Sequence, residues 1–185
     1  KLYDYTLPKR SYTMVMCDGR SFSKLIKNRF EKPFDNWFIN AMNKTAKYIC
    51  ENVQGAKFAY VQSDEISILV TDFDNEETEA FYGNRLCKLQ SIIASLATCK
   101  FNQLLSAKMI LDNMYDKKMM DDEDTIYNPS DCAKAIMNMQ LIQFDCKAWN
   151  LPTFNDVYAW FLYRQTDCIR NSKQQTAQAY LPHKM

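Results

Sequence analysis

The sequence predicts a single α+β domain, and three observations support this class. Short β-prone runs alternate with helix-periodic segments in the order strand, helix, hairpin, long helix, strand, helix. The two runs of the hairpin are separated by so few residues that they must be antiparallel. The chain has 185 residues, 47% of them hydrophobic, which is enough to bury a sizeable core. We therefore expect a split βαββαβ antiparallel sheet, with helices packed on one face and a long C-terminal helix.

The first half of the chain contains three predicted strands. Residues 11–17 form a short apolar run that stops at an Asp-Gly turn, and residues 21–29 then resemble a short helix. Apolar residues recur at spacings of three and four over 34–53, which predicts a helix. Two β-type runs, 57–62 and 66–71, form the hairpin.

The second half is dominated by two predicted helices. Residues 75–105 have an apolar stripe at helical spacing and no proline, whereas 106–140 give no regular pattern. Residues 141–149 are typical of a strand. Pro152 then introduces the last helix, predicted over 153–180.

Composition excludes several classes of protein. The chain has 23 Lys plus Arg and 22 Asp plus Glu (23 − 22 = +1), with 3 Gly and 5 Pro, so it is neither collagen-like nor globally disordered. No window approaches the roughly 18 apolar residues of a membrane-spanning helix. We expect a cytoplasmic protein with no membrane partner, although an organelle is not excluded.

Cysteine and histidine usage narrows the chemistry. The seven cysteines include no CxxC pair, and His183 is the single histidine, so we expect no zinc site and reduced, buried structural thiols. His183 lies two residues from the end, which makes a Ser-His-Asp or Cys-His mechanism unsuitable. An enzyme built on this chain would use carboxylates and a metal.

Two aspartates stand at the ends of predicted strands. Asp18 follows the first strand, and Asp64 lies at the tip of the hairpin. If these strands are neighbours, both carboxylates project from one rim of the sheet. Carboxylate oxygens suit Mg²⁺, which retains positions for substrate phosphates. Two such ions would activate an attacking hydroxyl and neutralise a leaving pyrophosphate.

Ordinary turn chemistry explains the same residues. Asp-Gly is a common turn signal, and an aspartate in a hairpin loop is usually a turn residue. Cationic and backbone groups nearby favour the metal hypothesis: Gly19 allows a close backbone approach, and the segment Arg20 to Ser23 enters a helix whose N–H groups could bind phosphate. Arg85 and Lys88 share a helix face and could reach the same phosphates, although a solvated face explains that pair equally well.

Several motifs together resemble the tRNA(His) guanylyltransferase superfamily, the 3′-to-5′ RNA polymerases. They cover most of the chain except roughly 106–140 and occur in family order. They are DGRSFSK at 18–24, EKPFD at 31–35, AYVQSDEIS at 59–67, FYGNRLCKLQSIIAS at 81–95, FDCK at 144–147 and RQTDCIRNS at 164–172.

The resemblance implies a fold and a reaction. It implies that residues 1–185 form one catalytic domain, ferredoxin-like and similar to a polymerase palm, with helical additions. The family's C-terminal tail would be missing. Two Mg²⁺ ions would support attack of a nucleotide's 3′ hydroxyl on an activated 5′ end of tRNA. GTP or another nucleoside triphosphate would be the substrate, ATP would activate 5′-monophosphate ends, and the family commonly assembles as homotetramers.

The resemblance also implies roles for individual residues. Asp18, Asp64 and the carbonyl of Gly19 would bind metal, and Lys32 would assist activation of the 5′ end, so that Asp18, Asp64 and Lys32 are the catalytic residues. Glu65 could orient the site or be a surface carboxylate. The nucleotide-binding residues would be Asp18, Gly19, Arg20, Ser21, Phe22, Ser23, Ser63, Asp64, Arg85 and Lys88. The RNA-binding residues would be Lys147, Arg164, Arg170, Asn171 and Lys173.

One departure favours a particular branch. The enzymes that add G to tRNA(His) carry His-Ile-Asn-Asn in the late helix, where this chain has Ile169-Arg170-Asn171-Ser172. The missing histidine indicates the guanylyltransferase-like branch, associated with templated repair of tRNA 5′ ends. Addition of G at position −1 of tRNA(His), another palm-type nucleotide chemistry, and a non-catalytic RNA-binding module with this fold are the alternatives.

Overall fold

The computed structural model describes residues 5–20, 22, 30–119 and 129–181. Its strands are β1 (Tyr12–Arg20), β2 (Ala56–Gln62), β3 (Glu65–Val70) and β4 (Gln143–Leu151). Its helices are α1 (Asn36–Asn52), a short 3₁₀ helix (Phe81–Asn84), α2 (Leu86–Met119), α3 (Pro129–Met137) and α4 (Phe154–Tyr180). The predicted short helix at 21–29 lies outside the described residues except for Phe22, which is helical.

The four strands form one antiparallel sheet in the order β2-β3-β1-β4. Together with a helix between β1 and β2 and another between β3 and β4, this is the predicted βαββαβ arrangement. The α+β class and the long C-terminal helix are confirmed. Because β1 is central, its C-terminal end lies between the ends of β3 and β4, and residues from three strands meet there.

The sheet is covered on both faces. Alternate residues of β1, including Val15 and Cys17, point into the main core, which they share with α1 and α2 through side chains such as Ile49 and Ile93. Met14 points to the other face and packs in a second cluster with Val157 of α4. The prediction that helices pack on one face is therefore incomplete, since α4 covers the opposite face.

Helix starts follow their capping residues. Asp35 caps α1 by accepting a hydrogen bond from the backbone N–H of Phe38 at 2.7 Å. At α4, Thr153 and Asp156 form a reciprocal capping box. Caps of this kind satisfy backbone N–H groups that have no partner within the helix and stabilise it by about 1 kcal/mol each.

The predicted helix over 75–105 is wrong at both ends. Residues 71–80 are not helical, and α2 begins at Leu86 and runs to Met119. Tyr82, Gly83 and Asn84 all have positive φ, which interrupts the helix. Asn84 is buried, and its amide donates to the carbonyl of Pro8 at 3.2 Å, so a contact with a distant part of the chain holds this irregular turn.

The prediction that the cysteines are reduced and buried is wrong for four of them. Cys17 and Cys146 face each other across β1 and β4 and are joined by a disulfide. Cys87 and Cys99 are free but exposed on α2.

Within the described ranges, none of the helices carries an apolar segment long enough to cross a membrane.

Candidate active site

The two predicted metal-binding aspartates lie side by side at one end of the sheet. Asp18 pairs with Glu65 of β3 on one side and with Asp145 of β4 on the other. Asp64 occupies the turn that joins β2 to β3. The N–H of Gly19 donates to the carbonyl oxygen of Asp64 at 3.0 Å, which joins the end of β1 to that turn.

The turn itself is conformationally unusual. Ser63 has a φ of 52°, in the left-handed region that residues with side chains seldom adopt. A two-residue turn between antiparallel strands commonly needs such a conformation. The strain at Ser63 therefore serves to place Asp64 beside Gly19.

Burial and like charges raise the pKa values of these carboxyl groups. Burial raises the pKa of Asp18, and the negative charge of Asp145 adds to the effect, while Lys147 opposes it. Burial also raises the pKa of Asp64, and the charge of Asp18 acts in the same direction. Carboxylates held together in this way favour a bound cation, which would relieve their repulsion.

The oxygen donors at this strand end suit Mg²⁺, which keeps water and substrate ligands, better than a metal whose ligands all come from the protein. Asp18, Asp64 and the carbonyl of Gly19 offer oxygen donors at this strand end, and the Asp145 carboxylate lies on the neighbouring strand. Among the residues that the structure describes, no three His, Cys, Asp or Glu side chains surround a common point. A cation here would therefore complete its coordination with water and substrate oxygens, as Mg²⁺ does at phosphates.

Glu65 already has a partner. Its carboxylate lies 2.5 Å from Nη2 of Arg164 on α4 and accepts a hydrogen bond from the Ser67 hydroxyl at 3.3 Å. The Arg164 and Glu65 side chains are 12% and 14% exposed. Glu65 therefore connects α4 to the sheet. This supports the interpretation that Glu65 orients the site over the alternative that it is a surface carboxylate.

Gly19 has a packing role. A Cβ at this position would lie 2.2 Å from the Phe22 ring and 3.1 Å from Cβ of Asp64. The Phe22 ring is 1% exposed and packs against Phe38, Phe101 and Phe144, so it is a core side chain. The absence of a side chain at Gly19 lets this ring pack directly against the end of β1.

A cavity of about 1080 Å³ opens beside the carboxylates. It lies between the segment that leads into α1, the β2–β3 turn and the second half of α4. Seven of the predicted site residues line it: Asp18, Phe22, Lys32, Ser63, Asp64, Arg164 and Asn171. Pockets for small molecules usually measure about 300–1,000 Å³, so this one has room for a nucleoside triphosphate.

Arg85 and Lys88 lie elsewhere. Arg85 pairs with Thr6, and its Nε donates to the carbonyl of Tyr82 at 3.3 Å. The chain from Thr6 leads to the start of β1, and Asp18 stands at that strand's other end, about 20 Å away at ~3.3 Å per residue. Within one chain, the two cations are therefore not brought to the cavity.

The remaining predicted residues lie around the site or outside the described part. Lys147 is exposed on β4, and its charge lowers the pKa of Asp18. Arg170 forms an ion pair with Asp167, and Lys173 is exposed on α4. Arg20 ends β1 as an exposed residue. Ser21 and Ser23 lie outside the described residues.

Sequence reasoning missed two residues that connect α4 to the hairpin. Gln62 is 7% exposed, and its amide nitrogen donates to Oδ2 of Asp167 at 3.2 Å. The same oxygen lies 3.6 Å from Nη1 of Arg164. Both belong to motifs noted above, but their partnership depends on how α4 crosses the sheet, which no local pattern indicates.

Comparisons with known proteins agree with this fold. A family model described as Thg1, tRNAHis guanylyltransferase, matches residues 2–152. The chain therefore belongs to the tRNA(His) guanylyltransferase family.

Two solved structures of bacterial tRNA(His) guanylyltransferase (Thg1)-like proteins resemble the whole fold. The one in complex with ATP has a TM-score of 0.80 and 35% identity, covering 99% of this chain and 68% of that one. The one in complex with GTP has a TM-score of 0.78 and 34% identity, covering 98% and 73%.

Curated relatives are longer than this chain. Arabidopsis thaliana tRNA(His) guanylyltransferase 1 is 27% identical over 88% of this chain, which spans 24% of that protein. The probable human tRNA(His) guanylyltransferase is 25% identical over 94% of this chain, which spans 49% of it.

Proposed function

We propose that this protein is a metal-dependent nucleotidyltransferase that adds nucleotides to the 5′ end of tRNA in the 3′-to-5′ direction. The observation that carries the proposal is the adjacency of Asp18 and Asp64 at the mouth of a cavity large enough for a nucleoside triphosphate. Membership of the family supplies the substrate class. The ATP and GTP complexes of the similar bacterial proteins support nucleoside triphosphates as ligands.

Different residues of the chain bind the metal, the triphosphate and the 5′ phosphate of the RNA. Asp18, Asp64 and the Gly19 carbonyl hold Mg²⁺, which when bound supplies positive charge at the phosphates and lowers the pKa of a coordinated hydroxyl. Ser63, at the turn, lies where it can contact the triphosphate. Lys32 lines the cavity from the α1 side and offers a mobile positive charge for the RNA 5′ phosphate.

The negative charge around the carboxylates allows a triphosphate to bind only when divalent cations are also present. Asp18, Asp64 and Asp145 carry like charges, and Arg164 is already paired with Glu65. A triphosphate entering without divalent cations would be repelled, because the three carboxylates outnumber the two lysines, Lys32 and Lys147, that the described residues place near them. We therefore expect nucleotide binding to depend strongly on divalent cations.

The missing histidine supports the repair branch. Ile169 is 50% exposed and stands where the enzymes that add G to tRNA(His) have histidine. We propose templated addition, in which the base opposite the growing 5′ end selects the nucleotide. Addition of G to tRNA(His) is the alternative, favoured by the family model's own description.

A primer-extension assay tests this function. A 5′-truncated tRNA, labelled internally, is incubated with Mg²⁺, ATP and each nucleoside triphosphate in turn, with the opposing base varied. Growth at the 5′ end by the Watson–Crick partner is the expected result. Addition of G whatever the opposing base would identify a tRNA(His)-type enzyme, and RNA binding without any addition would identify a non-catalytic module.

A further inference from the structure

The cavity has two chemically different parts. Its charged lining residues are confined to the strand ends, the nearest part of α4 and the segment before α1. Between α1 and the second half of α4, all the lining residues are uncharged. On α4 beyond Asp167 they are Cys168, Asn171, Ser172, Gln175, Gln178 and Ala179.

Two glutamines on this wall have no hydrogen-bond partner among the described residues. Gln175 and Gln178 are three residues apart, so they lie on the same face of α4, and both are exposed. Asn171, one turn earlier, is different because its amide nitrogen donates to Asp167 at 3.3 Å. The two glutamine amides are therefore available to a ligand.

The facing wall is apolar and partly open. Phe34 and Ile39 both line the cavity and are 49% and 43% exposed. An aromatic ring left half-exposed in a cavity offers a surface on which a planar group can stack. No Lys or Arg lines the cavity from α1 or from α4 beyond Asp167, whereas Lys32 lines it from the same segment as Phe34. Phosphate is therefore better accommodated on the Lys32 side than between the two helices.

We propose that Gln175 and Gln178 bind the edge of a nucleobase whose face lies on Phe34. A side-chain amide offers both a donor and an acceptor and can pair with the mixed donor and acceptor groups of a base edge. The inference rests on the proposed function, because it assigns the charged part of the cavity to phosphates. The base belongs either to the incoming nucleotide or to the tRNA end.

The chain provides a matched control for this proposal. The double variant Gln175→Leu/Gln178→Leu removes both amides while keeping good helix formers on α4. Gln165→Leu/Gln174→Leu makes the same chemical change on the same helix at exposed positions that do not line the cavity. Phe34→Ala removes the stacking surface independently.

Calorimetric titration with Mg²⁺ present compares four nucleoside triphosphates, a 5′-truncated tRNA and inorganic tripolyphosphate, which has no base. We expect the cavity double variant to bind at least one base-containing ligand about tenfold more weakly, from two lost hydrogen bonds, with tripolyphosphate unchanged. Phe34→Ala should show the same pattern, and the control double variant should match wild type. Weaker nucleotide binding assigns the base to the nucleotide, and weaker tRNA binding alone assigns it to the RNA.

Two results would overturn the inference. One is that the cavity double variant binds every ligand as tightly as wild type. The other is that tripolyphosphate binding weakens in parallel, which would indicate phosphate contact. A wild-type protein that binds neither nucleotides nor tRNA would remove the proposed function as well, so the two failures are distinguishable.

Discussion

The backbone N–H of Gly19 donates a hydrogen bond to the carbonyl oxygen of Asp64 across 3.0 Å. This single bond joins the end of the central strand to the β2–β3 turn. It places two carboxylates, 46 positions apart in the sequence (64 − 18), at one mouth of the cavity. The candidate chemistry follows from that adjacency.

Replacing either aspartate should separate activity from stability. We expect Asp18→Asn and Asp64→Asn to lose nucleotide addition by at least a hundredfold, because each removes a metal-binding carboxylate. In the absence of metal, each variant should be at least as stable as wild type, since repulsion between neighbouring like charges is relieved. Addition assays and urea unfolding with a chelator measure the two effects. A variant that keeps turnover would contradict the assignment.

Replacing Gly19 with alanine should lower both the stability of the protein and its affinity for nucleotide. Gly19→Ala places a Cβ 2.2 Å from the buried Phe22 ring, so the ring or the strand must shift. We expect a loss of about 1–3 kcal/mol in the free energy of unfolding, as for other overpacked cores, together with weaker nucleotide binding.

Gly83→Ala is the control for that substitution. It faces open space and should cost about 1 kcal/mol through its positive φ alone, without effect on the cavity. Equal losses of nucleotide binding in the two variants would argue against the packing role of Gly19.

Arg164 should matter far more for stability than its neighbour Arg170. Arg164→Met leaves the partly buried Glu65 carboxylate without its cation, and we expect a loss of roughly 3 kcal/mol. Arg170 is 75% exposed in its pair with Asp167, and Arg170→Ala should change stability by less than about 1 kcal/mol.

A double-mutant cycle tests the mechanism behind this difference. Arg164→Met/Glu65→Gln removes both charges, and we expect it to recover much of the loss caused by Arg164→Met alone. Strictly additive losses would show that Arg164 stabilises α4 through its packing on Trp160 and Tyr163 instead.

The sequence predicted elements that local pattern determines and failed where distant contacts decide. The hairpin and the C-terminal helix follow from alternation, short loops and a cap at Thr153. The false start of the long helix arose because Phe81 extends the predicted apolar stripe, whereas the turn between Phe81 and Leu86 is held irregular by the hydrogen bond from Asn84 to Pro8. Local periodicity cannot report such a contact.

The candidate site divides in the same way. The structure brings Asp18 and Asp64 together, as the sequence predicted from the end of one strand and the tip of a hairpin on its neighbour. Arg85 and Lys88 share a helix face, but the periodicity of a helix does not indicate which end of the sheet that face meets. The contacts of Gln62 and Arg164 could not be predicted from the sequence either, because they depend on the path of α4 over the sheet.

Titration of Mn²⁺ followed by electron paramagnetic resonance, with GTP present, tests the shared cation site most directly. Wild-type protein should bind up to two ions per chain in a GTP-dependent manner, and Asp18→Asn and Asp64→Asn should each lose this binding. Unchanged Mn²⁺ stoichiometry and affinity in both variants would contradict the account.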